Sequence, residues 1–145
     1  KKIIGCDIGG VLRDNASGEP IEEAIESINI LSKDSEIIFI SKAKDAQKDK
    51  INEWLKKYGL SNHKIIFCET YEEKASIAKS EKINIMIDDK ITVLSNMKNL
   101  NNIQKIWFCD DDQKINGTKK FNSDVFTYMK LIRIWKDVVD FILSI

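Results

Sequence analysis

The chain has 145 residues, of which 43% are hydrophobic and 32% are charged, and these proportions are ordinary for one globular domain. Lys and Arg together number 23, as do Asp and Glu, so the sequence does not indicate nucleic acid or an anionic membrane as an electrostatic partner. Its apolar stretches are all shorter than the about 18 residues that a membrane-spanning helix needs.

Short apolar runs alternate with amphipathic patterns along the whole chain. The apolar runs predict five strands: Ile3–Cys6, Glu36–Ile40, Lys64–Cys68, Ile83–Ile87 and Ile103–Phe108. The periodic segments predict five helices: one opened by Pro20 and reaching Leu31, Asp45–Tyr58, one begun by the capping-box spacing Thr70–Glu73, a short one over Ile91–Met97, and a last one over Ser123–Ile142. The polar segments Asn15–Glu19 and Asp110–Asn122 predict loops.

This alternation of strands and helices predicts the fold class. Continuous apolar strands separated by helices are typical of a parallel sheet that is covered on both faces. We therefore expect an α/β fold, a doubly wound, Rossmann-like three-layer sandwich with a central parallel five-stranded sheet. Since no repeat or linker interrupts the pattern, we expect residues 1–145 to form a single domain.

Polar and charged residues follow several of the predicted strands. Asp7 ends the first strand, Ser41 and Lys42 follow the second, and the pair Asp88-Asp89 follows the fourth. The carboxyl ends of parallel strands form the ligand-binding edge of a doubly wound sheet. Crowded carboxylates repel one another, and a hard cation such as Mg²⁺ relieves that repulsion. A nearby lysine and hydroxyl would suit a phosphate group.

Four ordered motifs give the chain a resemblance to a known family. The segment Ile3–Leu12 resembles the first motif of the haloacid dehalogenase (HAD) superfamily, an apolar strand followed by Asp-x-Asp-Gly-(Val/Thr)-Leu. Phe39–Ala43 resembles the second motif, Lys74 the third, and Ile85–Asp89 the fourth in its Asp-Asp form. The chain is identified by these motifs as a small, capless HAD-like domain with a degenerate first motif.

The resemblance implies a Mg²⁺-dependent phosphohydrolase or phosphotransferase. Asp7 would be the nucleophile that forms an aspartyl-phosphate. Ser41 would hydrogen-bond the transferring phosphoryl group, and Lys74 would neutralise charge between Asp7 and the phosphate. The metal ligands would be Asp7, the backbone carbonyl of Gly9, Asp88 and Asp89. The residues that would contact substrate are Ser41, Lys42, Gly9 and Gly10.

One position departs from the family pattern. HAD phosphatases carry a second Asp two residues after the nucleophile, where it acts as general acid and base, and this chain has Gly9 there. Losing such a group typically costs about 100-fold to 10,000-fold in rate. Three interpretations stay open: a slow phosphatase in which Asp14 substitutes, a long-lived aspartyl-phosphate, or a catalytically inactive binding or regulatory module.

Spacing between the motifs also limits the architecture. Only seven residues separate Leu12 from Pro20, and one helix and one strand fill the segment between Ser41 and Lys74, so neither place has room for a cap domain. An open site suits a large phosphorylated substrate such as a macromolecule, or a cap supplied by a partner subunit in an oligomer.

The cysteines and the histidine exclude other kinds of site. Cys6, Cys68 and Cys109 are widely spaced and end apolar runs, which predicts free buried thiols in a reducing compartment and a cytoplasmic protein. A single histidine, His63, and no closely spaced cysteine pair argue against zinc.

Overall fold

The structure, a computed structural model, describes Lys1–Ile145. Six strands form one parallel sheet: β1 (Lys2–Cys6), β2 (Ser35–Lys42), β3 (Lys64–Cys68), β4 (Ile85–Asp88), β5 (Gln104–Phe108) and β6 (Met129–Ile132). Six helices accompany it: α1 (Ala24–Leu31), α2 (Asp45–Lys57), α3 (Glu73–Ser80), α4 (Ile91–Ser95), α5 (Asp112–Phe121) and α6 (Trp135–Ser144). None of these helices has the length and apolar character needed to cross a membrane.

The order of the strands across the sheet is β3-β2-β1-β4-β5-β6. Strand order reverses between β1 and β4, and such a switch point opens a crevice at the carboxyl ends of the two strands. Cys6 lies opposite Ile87 in the parallel register, and the backbone N–H of Asp7 donates to the carbonyl of Ile87 at 3.0 Å. The residues that follow, Asp7 and Asp88, therefore leave the sheet side by side.

Two hydrophobic cores cover the two faces of the sheet and confirm the three-layer arrangement. The larger core has 21 buried residues and takes side chains from α1, α2 and α6. The smaller core has 14 and takes them from α3, α4 and α5. Burial at both faces explains why the central strands are continuously apolar rather than alternating.

The expectation of five strands was wrong, because the segment assigned to the last helix contains a sixth strand. Met129–Ile132 pairs in parallel with β5, with Leu131 opposite Trp107, and the helix begins only at Trp135. Short apolar runs fit both helical and strand periodicity, and here the open edge of β5 selects the strand. The predicted loop Asp110–Asn122 contains α5, whose start is capped by Asp111, which accepts from two backbone N–H groups.

The first helix also begins later than expected, at Ala24 rather than at Pro20. Pro20 instead forms an antiparallel bridge with Arg13, and the N–H of Ile21 donates to the carbonyl of Leu12. These contacts hold the segment after β1 as an ordered loop at the carboxyl edge of the sheet. Glu23, with φ of 66°, makes the turn into the helix.

Candidate active site

A lysine lies between two carboxylates at the switch point. Asp7 follows β1, Asp88 ends β4, and Lys74 comes from the first turn of α3. The ammonium Nζ of Lys74 is 3.1 Å from Asp7 Oδ1 and 3.0 Å from Asp88 Oδ2. Lys74 is 1% exposed and Asp88 is fully buried, so this triad of charges is almost entirely removed from water.

The balance of charge in this triad is unfavourable for the two carboxylates. Burial, together with the charge of Asp88, raises the pKa of Asp7 well above its usual range, although Lys74 acts in the opposite direction. Burial also raises the pKa of Asp88. Burial alone would lower the pKa of Lys74, but the charges of Asp7 and Asp88 outweigh it and raise that pKa. The site therefore has one firmly held cation, Lys74, and an excess of negative charge on the carboxylates that a further cation would stabilise.

A third carboxylate, Asp89, completes the acidic group. Asp7, Asp88 and Asp89 each offer an oxygen, and these oxygens lie within 4.8 Å of one another. Oδ1 of Asp89 is buried and has no hydrogen-bond partner, which is costly unless a ligand engages it. Three oxygen donors with one orphaned atom fit the preference of Mg²⁺ for hard oxygen ligands.

Gly10 allows Asp89 to take this position. A Cβ on Gly10 would lie 2.2 Å from Asp89 Oδ2, and its φ of +80° is one that favours glycine. Gly10 lines a separate cleft rather than the cavity above Asp7. The geometry thus gives Gly10 a role in making room for Asp89 in the acidic group.

Asp7 and Asp89 of the acidic group line a cavity of about 470 Å³. Of the residues expected in the site, Asp7, Gly9, Ser41, Lys42, Lys74 and Asp89 line this cavity, and Asp88 lies beneath its floor. The structure thus brings together the nucleophile candidate, the hydroxyl, the lysine and the acidic pair. Asp14, considered as a replacement acid, does not line the cavity; its carboxylate accepts from Ser17 Oγ and the N–H of Ala16, which lowers its pKa.

The cavity is strongly cationic. Besides Lys74, it is lined by Arg13, Lys42, Lys50 and Lys90, and none of these four is in an ion pair. Unpaired cations around a concave surface focus a field that attracts anions. The physical character of the cavity therefore favours an anionic ligand.

One side of the cavity is formed by α2, and sequence reasoning did not find it. Gln47, Lys50, Ile51 and Trp54 line the cavity at helical spacing, so this face was visible in the sequence. Only the placement of α2 beside the loop after β1 shows that its polar members face a ligand cavity.

Gly9 is partly covered by a neighbouring side chain. Asn15, on the loop after β1, places Oδ1 at 2.9 Å from the position that a Cβ on residue 9 would take. Both residues line the cavity. A side-chain amide, which has no acidic proton at neutral pH, therefore lies beside Gly9, the position at which the motif that the sequence resembles has a second Asp.

No protein-family model matches the chain, and no curated protein matches it. Among solved structures, D,D-heptose 1,7-bisphosphate phosphatase from Burkholderia thailandensis is similar over the full length of both chains, with a TM-score of 0.75 and 12% identity. A de novo designed Rossmann 3x3 fold protein is similar over all of this chain and 94% of its own, with a TM-score of 0.58 and 20% identity. At these identities the likeness concerns architecture alone: the chain has a three-layer, Rossmann-like α/β fold with a parallel sheet.

Proposed function

We propose that this protein is a HAD-like, Mg²⁺-dependent phosphohydrolase or phosphotransferase that acts through an aspartyl-phosphate at Asp7. The observation that carries the proposal is the buried ammonium of Lys74 between the carboxylates of Asp7 and Asp88, beside a cationic cavity. The structural neighbour, a D,D-heptose 1,7-bisphosphate phosphatase, agrees with this chemistry.

Asp7 is proposed as the nucleophile. Its carboxylate would attack phosphorus while the bond from phosphorus to the ester oxygen breaks, giving an aspartyl-phosphate and an alkoxide or aryloxide leaving group that takes its proton from water. Lys74 would hold the attacking carboxylate in place and offset charge on the phosphoryl oxygens. Ser41, 5% exposed, would donate to one of those oxygens.

The acidic group is proposed as the metal site. Asp7, Asp88 and Asp89, with the backbone carbonyl of Gly9, would hold Mg²⁺, and the bound ion supplies charge stabilisation to the transferring phosphoryl group. The buried, unpartnered Oδ1 of Asp89 supports this assignment.

The absence of a proton-transferring side chain at Gly9 limits the expected rate of phosphate hydrolysis. Neither Gly9 nor Asn15 can protonate a leaving oxygen or activate water, so substrates with good leaving groups should react fastest. The aspartyl-phosphate should then hydrolyse slowly. Since only an ordered loop lies between β1 and α1, the proposed substrates include both small phosphate esters and phosphorylated macromolecules.

Hydrolysis of an aryl phosphate with Mg²⁺ tests the proposal. We expect slow hydrolysis that Asp7→Asn abolishes and that chelation of the metal abolishes as well. Asp34→Asn, the same substitution at an exposed residue outside the cavity, is the matched control and should leave the rate unchanged. Hydrolysis that survives Asp7→Asn would contradict the assignment of the nucleophile.

The absence of a general acid and base at Gly9 also favours a second candidate function, that of a binding or regulatory module. A binding or regulatory module would keep the acidic group and the cationic cavity but would not turn over. Calorimetry separates the two functions: phosphate that binds in a Mg²⁺-dependent way, with no hydrolysis of any aryl or acyl phosphate, would favour the module. An absence of both Mg²⁺ binding and hydrolysis would contradict both candidates.

A further inference from the structure

We propose that the cavity contains a second anion subsite, formed by Arg13 and Lys50 beside Trp54, and that the substrate is a small compound with two phosphate groups. This inference rests on the proposed function and specifies its substrate class. It is carried by the contacts of the unpaired cations that line the cavity: Lys42 and Lys90 lie at the Tyr71 ring, and Arg13 lies at Gly18, to which Trp54 is hydrogen-bonded.

The first pair of cations, Lys42 and Lys90, lies around Tyr71 and adjoins the acidic group. Lys42 Nζ is 4.8 Å and Lys90 Nζ is 5.6 Å from the centre of the Tyr71 ring. Lys42 directly follows Ser41 in the chain, and Lys90 directly follows Asp89. This pair is therefore the one that would meet the phosphate next to Asp7.

The second pair, Arg13 and Lys50, lies around Gly18 and Trp54. Trp54 Nε1 donates to the carbonyl of Gly18 at 2.8 Å. Nη2 of Arg13 lies 3.5 Å from the position of a Cβ on Gly18, so the guanidinium lies against the same glycine. Lys50 precedes Trp54 by one helical turn on α2, which places both on one face of the helix. Arg13, Lys50 and Trp54 thus line one part of the cavity together.

The charges around the cavity favour a ligand with two anionic groups. The three carboxylates would be offset by Lys74 and the proposed divalent cation together, which would leave the four unpaired cations for the ligand. One phosphate group carries about two negative charges at neutral pH. A monophosphate would therefore be matched by Lys42 and Lys90 alone, and Arg13 and Lys50 would have no anion to bind.

The geometry of Arg13 suits this role. A guanidinium offers a planar fork of donors that matches a phosphate, whereas an ammonium acts as a point charge. Arg13 is half-buried and its side chain makes no ion pair, although Asp14 is its neighbour in the chain. Its donors are thus available to a ligand in the cavity.

Calorimetry with phosphonates tests the subsite without turnover, because a carbon–phosphorus bond is not hydrolysed by this chemistry. The probes are propylphosphonate, with one anionic group, and a series of alkane bisphosphonates of increasing length, all with Mg²⁺ present. We expect one bisphosphonate length to bind more tightly than propylphosphonate by on the order of tenfold, the effect of one charge-assisted contact.

Two variants locate the second contact. Arg13→Gln and Lys50→Gln should each weaken bisphosphonate binding by about tenfold and leave propylphosphonate binding unchanged. Lys50 is exposed on a helix, so its substitution is tolerated by the fold even if that of Arg13 is not. Lys56→Gln, on the same helix and outside the cavity, is the matched control and should change neither affinity.

The outcomes separate this inference from the proposed function. Equal affinity for propylphosphonate and every bisphosphonate would overturn the second subsite and leave the proposed function intact. Equal losses for both probes on Arg13→Gln and Lys50→Gln would also overturn it, since the two residues would then contact the first phosphate. If no phosphonate binds in the presence of Mg²⁺, the proposed function itself fails.

Discussion

The side chain of Asn15 covers Gly9, with Oδ1 placed 2.9 Å from where a Cβ on residue 9 would lie. Asn15 is exposed, so its amide can rotate away at small cost when a larger residue is introduced. Gly9 therefore supplies no carboxylate, and Asn15 fills the space beside it without supplying an acidic proton.

Gly9→Asp should increase the hydrolysis of an aryl phosphate by about 100-fold, because it supplies the general acid and base that the site lacks. The double variant Gly9→Asp with Asn15→Ala should be faster still, since the new carboxylate no longer competes with the amide for space. Steady-state rates with Mg²⁺ measure both effects. Gly9→Asn, equal in shape but unable to transfer a proton, is the control, and an equal gain from it would contradict the acid-base explanation.

Lys74→Met should destabilise the metal-free protein by about 3 kcal/mol at pH 7, because two buried carboxylates lose their shared partner. Burial already raises the pKa values of Asp7 and Asp88, and the loss of Lys74 raises them further. A native carboxyl with a raised pKa binds more protons than the unfolded chain, so the variant regains stability as the pH falls through that window.

Urea unfolding at pH 7 and pH 5 measures this effect of Lys74→Met. The control is Lys79→Met, at an exposed position of the same helix, which should change stability little at either pH. If the loss at Lys74 is the same at both pH values, it reflects packing rather than the charges of Asp7 and Asp88.

Gly10→Ala should weaken Mg²⁺ binding by about tenfold, since losing one well-placed oxygen ligand costs roughly that much. The new methyl group would meet Asp89 Oδ2 and displace it. Gly59→Ala is the control, because Gly59 also has a positive φ of 73° but has no atom within 4 Å of the place where a Cβ would lie. Both variants should lose about 1 kcal/mol to backbone strain, and only Gly10→Ala should change the Mg²⁺ affinity measured by calorimetry.

Trp135→Phe should destabilise the protein by about 2 kcal/mol, because it leaves a buried carbonyl without a donor. Trp135 is fully buried, and its Nε1 donates to the carbonyl of Val11 at 2.8 Å, across 124 positions of the chain. Amide exchange at Ile21, whose N–H donates to Leu12, should become faster as the loop loosens. Unchanged stability and exchange would show that this hydrogen bond does not hold the loop.

The sequence by itself determined the features that depend on local pattern. The bounds of β3, Lys64–Cys68, agree with the prediction, because a short apolar run between polar segments has one interpretation in an alternating chain. The positions of Asp7, Ser41 and Asp88 at the carboxyl edge follow from the same reasoning, whereas Lys74 was identified through the resemblance to a family motif. Parallel strands end at one edge of the sheet, so residues that end strands in sequence meet in space.

Only the tertiary structure decided the features that depend on a distant partner. Met129–Ile132 is a strand because β5 offers it an open edge, and Gly10 matters because Asp89 lies against it. The cationic wall of α2 faces a ligand cavity because Trp54 bonds to Gly18, 36 positions earlier in the chain. Local periodicity does not encode which surfaces meet, and for that reason the acidic group, Lys42 and Lys74 were found from the sequence while Arg13, Lys50 and Lys90 were not.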